Sequence, residues 1–346
     1  MSEMLEEITE QPAALEKIFN TEKKRIPALR RIASRRRLRL IVLAARGTSD
    51  NAALFGRYLL ELTTGIPVSL AAPSLHTVYR ARAKTNLRDT LVVGLSQSGE
   101  STDVNMVLEA AKKRGALTVG ITNEAGSPMA NLADEVFLLD SGRQRSVAAT
   151  KTYTGQLLIL YLMSAALGSG VKLKEISKIP ALAAESLKLQ PRVRQLAERF
   201  RKMTRSVVLA RGFNYGNAYE LALKLMETCY VVAKGFSAAD FLHGPIALIE
   251  KGFPVILFAA PGKTFKEMAS LSSRLNSYGA ETVAFTGPGL RLDAGTRTIH
   301  VPAKIDEIYA PIPYIIPGQL FAALLAEAKG LDPDHPRALK LVTKTI

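Results

Sequence analysis

Ile41-Val-Leu-Ala-Ala-Arg-Gly47, running into Thr48-Ser49-Asp50-Asn51-Ala52, reads as a buried strand, a glycine turn and the start of a helix. The same reading fits Val207-Val-Leu-Ala-Arg-Gly212, running into Phe213-Asn214-Tyr215-Gly216-Asn217-Ala218. From Gly47 to Gly212 is 165 residues. A second pair keeps that spacing: Gly115-Ala-Leu-Thr-Val-Gly-Ile-Thr122 and Gly279-Ala-Glu-Thr-Val-Ala-Phe-Thr286 lie 164 residues apart. Between them come two more apolar runs, Leu91-Val-Val-Gly-Leu95 and Pro254-Val-Ile-Leu-Phe258. A spacing held by separate segments marks two copies of one domain in tandem.

Within each copy, short apolar runs alternate with helical patterns such as Thr102–Arg114 and Phe265–Tyr278. That alternation predicts an α/β fold in which each copy is a parallel-sheet, three-layer αβα sandwich of flavodoxin-like form. The boundaries expected are a helical N-terminal segment over 1–24, a first domain over 25–168, a helical linker over 169–205 and a second domain over 206–346. Pro180 and Pro191 are read as breaks in the linker. Ligands of such sheets bind beyond the carboxyl ends of the strands, which directs attention to the residues after Ala45 and after Leu95.

Composition narrows the function. With 346 residues, 47% hydrophobic and 22% charged, the chain is a folded globular protein and has length for two cores. Its one cysteine, Cys229, closes no intramolecular disulfide, which fits a reducing, cytoplasmic setting. The start carries Glu3, Glu6, Glu7 and Glu10 and is no signal peptide. Leu157–Leu167 is too short to span a bilayer and reads as a buried helix, so no membrane role is expected. The net charge of +15 suits polyanions or phosphorylated substrates, or a solvated basic surface. Much of it lies in Lys23–Arg39, with nine basic residues, and Arg192–Arg205, with six against Glu198. About forty residues before the first strand leave little room for a helix-turn-helix, and no nucleic-acid partner is expected.

Ser96-Gln97-Ser98-Gly99-Glu100-Ser101-Thr102-Asp103 follows a buried strand and precedes a helix. Hydroxyls and free N–H groups at a helix N-terminus form an anion site; a simple cap by Ser101 or Thr102 is the plainer alternative. The equivalent turn of the second copy, Ala259-Ala260-Pro261-Gly262-Lys263-Thr264, has lost the serines. If they served only as caps, both copies would need them, so the first copy is read as the phosphate holder. Thr48, Ser49 and the segment Ser146–Thr152 end other parts of that copy. Glu220 to Tyr230 reads as a helix with Leu221, Leu225 and Thr228 inward. Glu227, beside Met226, Thr228 and Cys229, is expected in partly apolar surroundings that raise a carboxyl pKa and suit proton transfer. His243, before Gly244-Pro245, is expected on an exposed turn. There is no metal-ligand spacing, no GxGxxG after the first strand and no GxSxG elbow, so neither a metal nor another cofactor is expected.

The Ser96–Ser101 loop, Ser146–Lys151, the Lys224–Tyr230 helix, Leu242-His-Gly-Pro245 and Pro336-Arg337 together resemble the tandem SIS (sugar isomerase) family. The arrangement is that of the isomerase half of glucosamine-6-phosphate synthases, and it covers nearly the whole chain, including Glu7-Ile8-Thr9-Glu10-Gln11-Pro12. The resemblance implies that Ser96, Gln97, Ser98 and Ser101 bind a sugar phosphate, Ser101 standing where the family often has threonine. Thr48, Ser49 and the Val147 backbone would line the sugar. Glu227 would move a proton between C1 and C2, with Lys224 nearby, and His243 would open the ring from the neighbouring subunit of a homodimer.

Two positions depart from the family. Its Schiff-base lysine aligns to Leu341, with Lys340 one position earlier; Lys340 and Lys344 are the candidates. Met226 stands where a lysine is common. The family's glutaminase half is not expected, because Met1 leads almost directly into the first helix. Chains of that form resemble SIS-type glucosamine-6-phosphate deaminases. The activity expected is release of ammonia and fructose 6-phosphate from glucosamine 6-phosphate. The alternatives are ammonia-dependent synthesis in reverse, a related fructosamine-phosphate deglycase, and a sugar-phosphate-binding regulator without chemistry.

Overall fold

The computed structural model describes residues 1–80 and 85–339. It contains two five-stranded sheets, parallel throughout. The first comprises β1 (Leu40–Ala44), β2 (Val68–Leu70), β3 (Thr90–Leu95), β4 (Leu117–Thr122) and β5 (Glu135–Leu138) in the order β2-β1-β3-β4-β5. The second comprises β6 (Arg205–Ala210), β7 (Val232–Ser237), β8 (Pro254–Ala259), β9 (Glu281–Thr286) and β10 (Arg297–His300) in the order β10-β9-β8-β6-β7. Read from the other edge the second order is the first repeated, as the spacing of the two copies predicts. Every residue of β3 and β4 is buried, the pattern of central strands covered on both faces.

The chain divides into two compact units. The first unit holds β1–β5 and comprises Ala13–Gln144 and Lys151–Lys178. One face of its sheet packs Ala44 and Val92 against Val104, Val107, Leu108 and Met129. The helix Lys151–Leu167 is buried along nearly its whole length and packs on the helix Thr48–Thr64. Phe55 meets Tyr161 edge-on with ring centroids 5.2 Å apart, and Thr63 and Ser164 hydroxyls share a hydrogen bond of 2.8 Å.

The second unit holds β6–β10 and comprises Met1–Pro12, Arg145–Thr150 and Ile179–Leu339. Val207, Leu209, Val255 and Leu257 pack on Phe241, Met268, Leu271 and Leu275. Its central helix, Pro311–Ala328, is buried through Ala326 and contacts the helices Tyr215–Cys229 and Gln190–Arg199. Cys229 Sγ donates to the Ala322 carbonyl at 3.1 Å, and Phe200 meets Phe321 with centroids 6.2 Å apart. Met1–Pro12 is tied in by the Asp334 carboxylate, which accepts from the N–H groups of Glu3 (2.7 Å) and Met4 (2.8 Å). Gln11 Nε2 donates to Gln319 Oε1 at 2.9 Å.

The stretch read as a linker is ordered helix from Ile179–Leu187 onward and forms part of the second unit's wall. Pro180 and Pro191 sit in the first turn of their helices, where a missing N–H costs nothing, so they start helices rather than break one. The basic runs have identifiable work. Arg30 caps the helix Lys151–Leu167 by donating to the carbonyls of Ala165 (2.8 Å) and Ala166 (3.3 Å). Arg36 donates to the carbonyl of Gly115 at 2.7 Å. In the second run Arg194, Arg199 and Arg205 pair with Glu327, Glu281 and Glu250. No helix among the described residues is long and apolar enough to cross a membrane.

Candidate active site

In the first unit the strand order reverses between β1 and β3, and the turns after those two strands flank the resulting crevice. The turn after β3 is the serine loop. Ser96 Oγ accepts from the Gly99 N–H at 3.1 Å, and Ser98 Oγ accepts from the Glu100 N–H at 3.2 Å. The Gln97 carbonyl accepts from the Asn123 N–H at 2.9 Å, and the Gly99 carbonyl from Asn105 Nδ2 at 3.0 Å. The loop is therefore fixed by bonds to its own backbone. Gly99, at φ +65°, has no room for a side chain: a Cβ there would lie 2.1 Å from Ser127 Oγ. Ser101 occupies the N-cap of the helix Thr102–Lys113, yet its side chain makes no capping bond. Its hydroxyl lies beside the first-turn N–H groups, which no helix can satisfy internally.

Thr48 and Ser49 open the helix after β1, behind Gly47 at φ +56°. Ser49 is buried and its Oγ accepts from Gln156 Nε2 at 2.8 Å. Arg46 ties the two turns together, its Nε lying 2.8 Å from Asp103 Oδ2 in the helix that follows the serine loop. The structure thus gathers Thr48, Ser49, Ser96, Gln97, Ser98 and Ser101 at one edge of one sheet. Val147 lies in Arg145–Thr150, which belongs to the second unit and is fixed there by the Arg145 N–H to Glu7 (2.6 Å).

In the second unit the helix Tyr215–Cys229 carries Glu220, Lys224 and Glu227 on one face, at spacings of four and three residues. Lys224 Nζ lies 2.5 Å from Glu227 Oε2 and 3.6 Å from Glu220 Oε1. Side-chain exposure is 0% for Glu220, 1% for Lys224 and 20% for Glu227. Burial alone would lower the Lys224 pKa, but attraction to Glu220 and then Glu227, with their hydrogen bonds, holds the ammonium above its ordinary value. The apolar setting expected around Glu227 is thus corrected: its carboxylate is held by a buried ammonium, because the helix turns Lys224 toward it. Glu220 was missed by sequence reasoning, although its spacing to Lys224 and Glu227 was a usable signal.

His243 is exposed at the C-terminal end of the short helix Ala238–Leu242, before Gly244 at φ +131°. Within one chain it does not meet Glu227. Helix Tyr215–Cys229 runs back between the parallel strands β6 and β7, so Glu227 lies near the start of β7 and His243 beyond its end. Six residues of strand separate those ends by on the order of 15–20 Å. Lys340 and Lys344 lie outside the described residues. The approach to them is fixed by Arg337, whose N–H donates to Tyr230 Oη at 3.0 Å and whose guanidinium lies 4.4 Å from that ring's centroid.

Comparison with known proteins agrees with the repeat. The SIS domain model matches residues 36–166 and again 199–326. The chain is 36% identical over 343 residues to glutamine–fructose-6-phosphate aminotransferase [isomerizing] of Pyrococcus horikoshii, covering 97% of this chain and 56% of that one. It is 37% identical over 315 residues to the Gloeobacter violaceus protein of the same name, covering 87% and 51%. The chain therefore spans about half the length of these curated relatives. Among solved structures, the C-terminal domain of glucosamine-fructose-6-phosphate aminotransferase from Francisella tularensis superposes with a TM-score of 0.85 at 26% identity, covering 96% of this chain and 98% of that one. Glucosamine-6-phosphate deaminase from Thermotoga maritima shares the fold at 22% identity, with a TM-score of 0.77 over 99% of this chain and 100% of that one. Two matched copies, the same sheet order in each and relatives across nearly the whole chain lead to one conclusion: this protein belongs to the SIS domain family.

Proposed function

We propose that the protein acts on hexosamine 6-phosphates, converting glucosamine 6-phosphate and water to fructose 6-phosphate and ammonia. In this reading Ser96, Gln97, Ser98 and Ser101 hold the phosphate, and Thr48, Ser49 and Val147 line the sugar. His243 exchanges a proton with the ring oxygen to open the pyranose. Glu227 then carries a proton between C2 and C1, and the resulting C2 imine hydrolyses to the ketone and ammonia. Phosphate binding, remote from the reacting carbons, supplies orientation rather than chemistry. The observation that carries the reading is the Glu227 carboxylate, partly exposed and yet fixed at 2.5 Å by a buried ammonium. A base needs both access and a single position.

The placement of His243 and Glu227 at opposite ends of β7 supports the expectation that a homodimer supplies the histidine across its interface. The reverse reaction, amination of fructose 6-phosphate by free ammonia, uses the same groups, and the names of the curated relatives favour it. Both directions are tested together, by ammonia and fructose 6-phosphate formed from glucosamine 6-phosphate and by glucosamine 6-phosphate formed from ammonia and fructose 6-phosphate. Glu227→Gln should lower either rate by about 10²–10⁴-fold. Mixing that variant with His243→Ala should restore about a quarter of wild-type activity, since random exchange makes half the dimers mixed, each with one complete site. Thermal stabilisation by sugar phosphates without turnover in either direction would replace the enzyme by a binding protein.

A further inference from the structure

After β10 the second unit makes an irregular strap through the short 3-10 turn Glu307–Tyr309 before the helix Pro311–Ala328 begins. The Glu307 carboxylate lies in this unit's own switch-point crevice, between the turns after β6 and β8. Its Oε2 accepts from the Lys263 N–H at 2.6 Å, and its Oε1 accepts from the Thr264 hydroxyl at 2.5 Å. Gly262, at φ +139°, makes room: a Cβ there would lie 2.2 Å from Oε2 and 2.6 Å from Cδ. From the other side a Cβ on Gly212 would lie 3.7 Å from Oε1.

The frame around the carboxylate is the one found in the first unit. Arg211 pairs with Glu267, its Nε 3.2 Å from Oε2, as Arg46 pairs with Asp103. What differs is the occupant. A Cβ built on Gly47, the counterpart of Gly212, would meet nothing within 4 Å among the described residues. The two long buried helices begin at Lys151 and Pro311, 160 residues apart, so Glu307 corresponds to Val147. Where the first copy carries a neutral residue before its helix, the second carries an anion and has lost the serines of the opposing loop.

We propose that Glu307 is a built-in occupant that closes the second crevice to phosphate-sized anions, confining anion binding to the first copy of the domain. The dipole of the helix Phe265–Ser277 favours negative charge at its N-terminal end, where the carboxylate is held from within the chain by the Lys263 N–H and the hydroxyl of Thr264, the N-cap residue. The closure goes beyond the function proposed above and leans on it only for the first unit's own phosphate.

The test is calorimetric titration of the full chain with inorganic phosphate, paired with thermal unfolding. Glu307→Ala should bind one more phosphate per chain than the wild type. Its midpoint should fall in phosphate-free buffer and recover with added phosphate by more than the wild type's rises. Glu307→Gln keeps the side-chain volume and should leave the crevice filled, whereas Glu307→Ser, shortened like the alanine variant, should show the same gain if the alanine variant does not fold. Phosphate stoichiometry equal to wild type in the folded alanine or serine variant, with no phosphate-dependent recovery, would overturn the proposal and leave Glu307 as a tie between loops. If the serine loop binds no phosphate, the wild type binds none and the variant one, so the two readings fail separately.

Discussion

Two helices at the same place in the two copies carry opposite contents. In Thr48–Thr64 the positions 165 residues before Glu220, Lys224 and Glu227 are Phe55, Leu59 and Leu62. Phe55 and Leu59 are buried in the first unit's core, as Glu220 and Lys224 are in the second. One face of one helix is therefore built in hydrocarbon in one copy and in charge in the other, with no change in sheet order. A buried set of charges is no more stabilising than apolar side chains of similar volume, and is often less so. The fold does not need the charges, and the function proposed above is what would use them. The two copies differ in two places, the serine loop of the first and the ionic triplet on the second copy's helix.

Copying the first helix onto the second is the severest way to break the comparison. The triple change Glu220→Phe, Lys224→Leu and Glu227→Leu should abolish turnover. Urea unfolding should nevertheless show stability unchanged or raised by about 1–4 kcal/mol. A large loss of stability would mean that the charges hold the helix rather than serve a reaction.

Breaking the triplet halfway should do the reverse. Lys224→Met leaves Glu220 buried without its cation and should cost about 3–5 kcal/mol in the same measurement. The sign of its pH dependence follows from the raised Lys224 pKa. A lysine held above its ordinary 10.5 contributes stability that is complete below that pH and is lost as pH rises through the folded-state value. The gap between wild type and Lys224→Met should therefore be constant up to about that pH and close in stronger alkali. A gap that widens there would refute the pairing.

A smaller effect sharpens the contrast at the crevices. Gly99→Ala adds a side chain at positive φ, about 1–2 kcal/mol of backbone cost, and drives Cβ into Ser127. Phosphate or sugar-phosphate binding, measured by titration, should weaken at least about tenfold while β3 and β4 stay folded. Unchanged affinity would place the phosphate elsewhere.

Much of this was legible in the sequence because it is written locally. The strands are short apolar runs, the turns carry glycine, and the serine loop lies between a strand and a helix, so the site edge of the first sheet follows from order alone. The burial of Lys224 was not legible, since charges at helical spacing look the same on a solvated face as inside. The pairing of Lys224 with Glu220 and Glu227 offsets the cost of burying its charge, and that pairing depends on the packing around them. Glu307 was invisible for another reason. It sits in an aperiodic strap, and its partners Lys263 and Thr264 are more than forty residues away. The helical character of 179–199 was legible, but its prolines suggest breaks, whereas each stands at a helix start.

The bond between Asp334 and the N–H groups of Glu3 and Met4 sets an order of events during synthesis. The described residues of the first unit have all been made by Lys178, whereas the Met1–Pro12 segment waits for a residue more than 150 positions further on. At about 5–20 residues per second that wait is roughly 8–30 s. Throughout it Met4, Leu5 and Ile8, all fully buried at the end, have no finished surface to cover them. The apolar side chains made first are thus among those whose anchoring partner, Asp334, is made last.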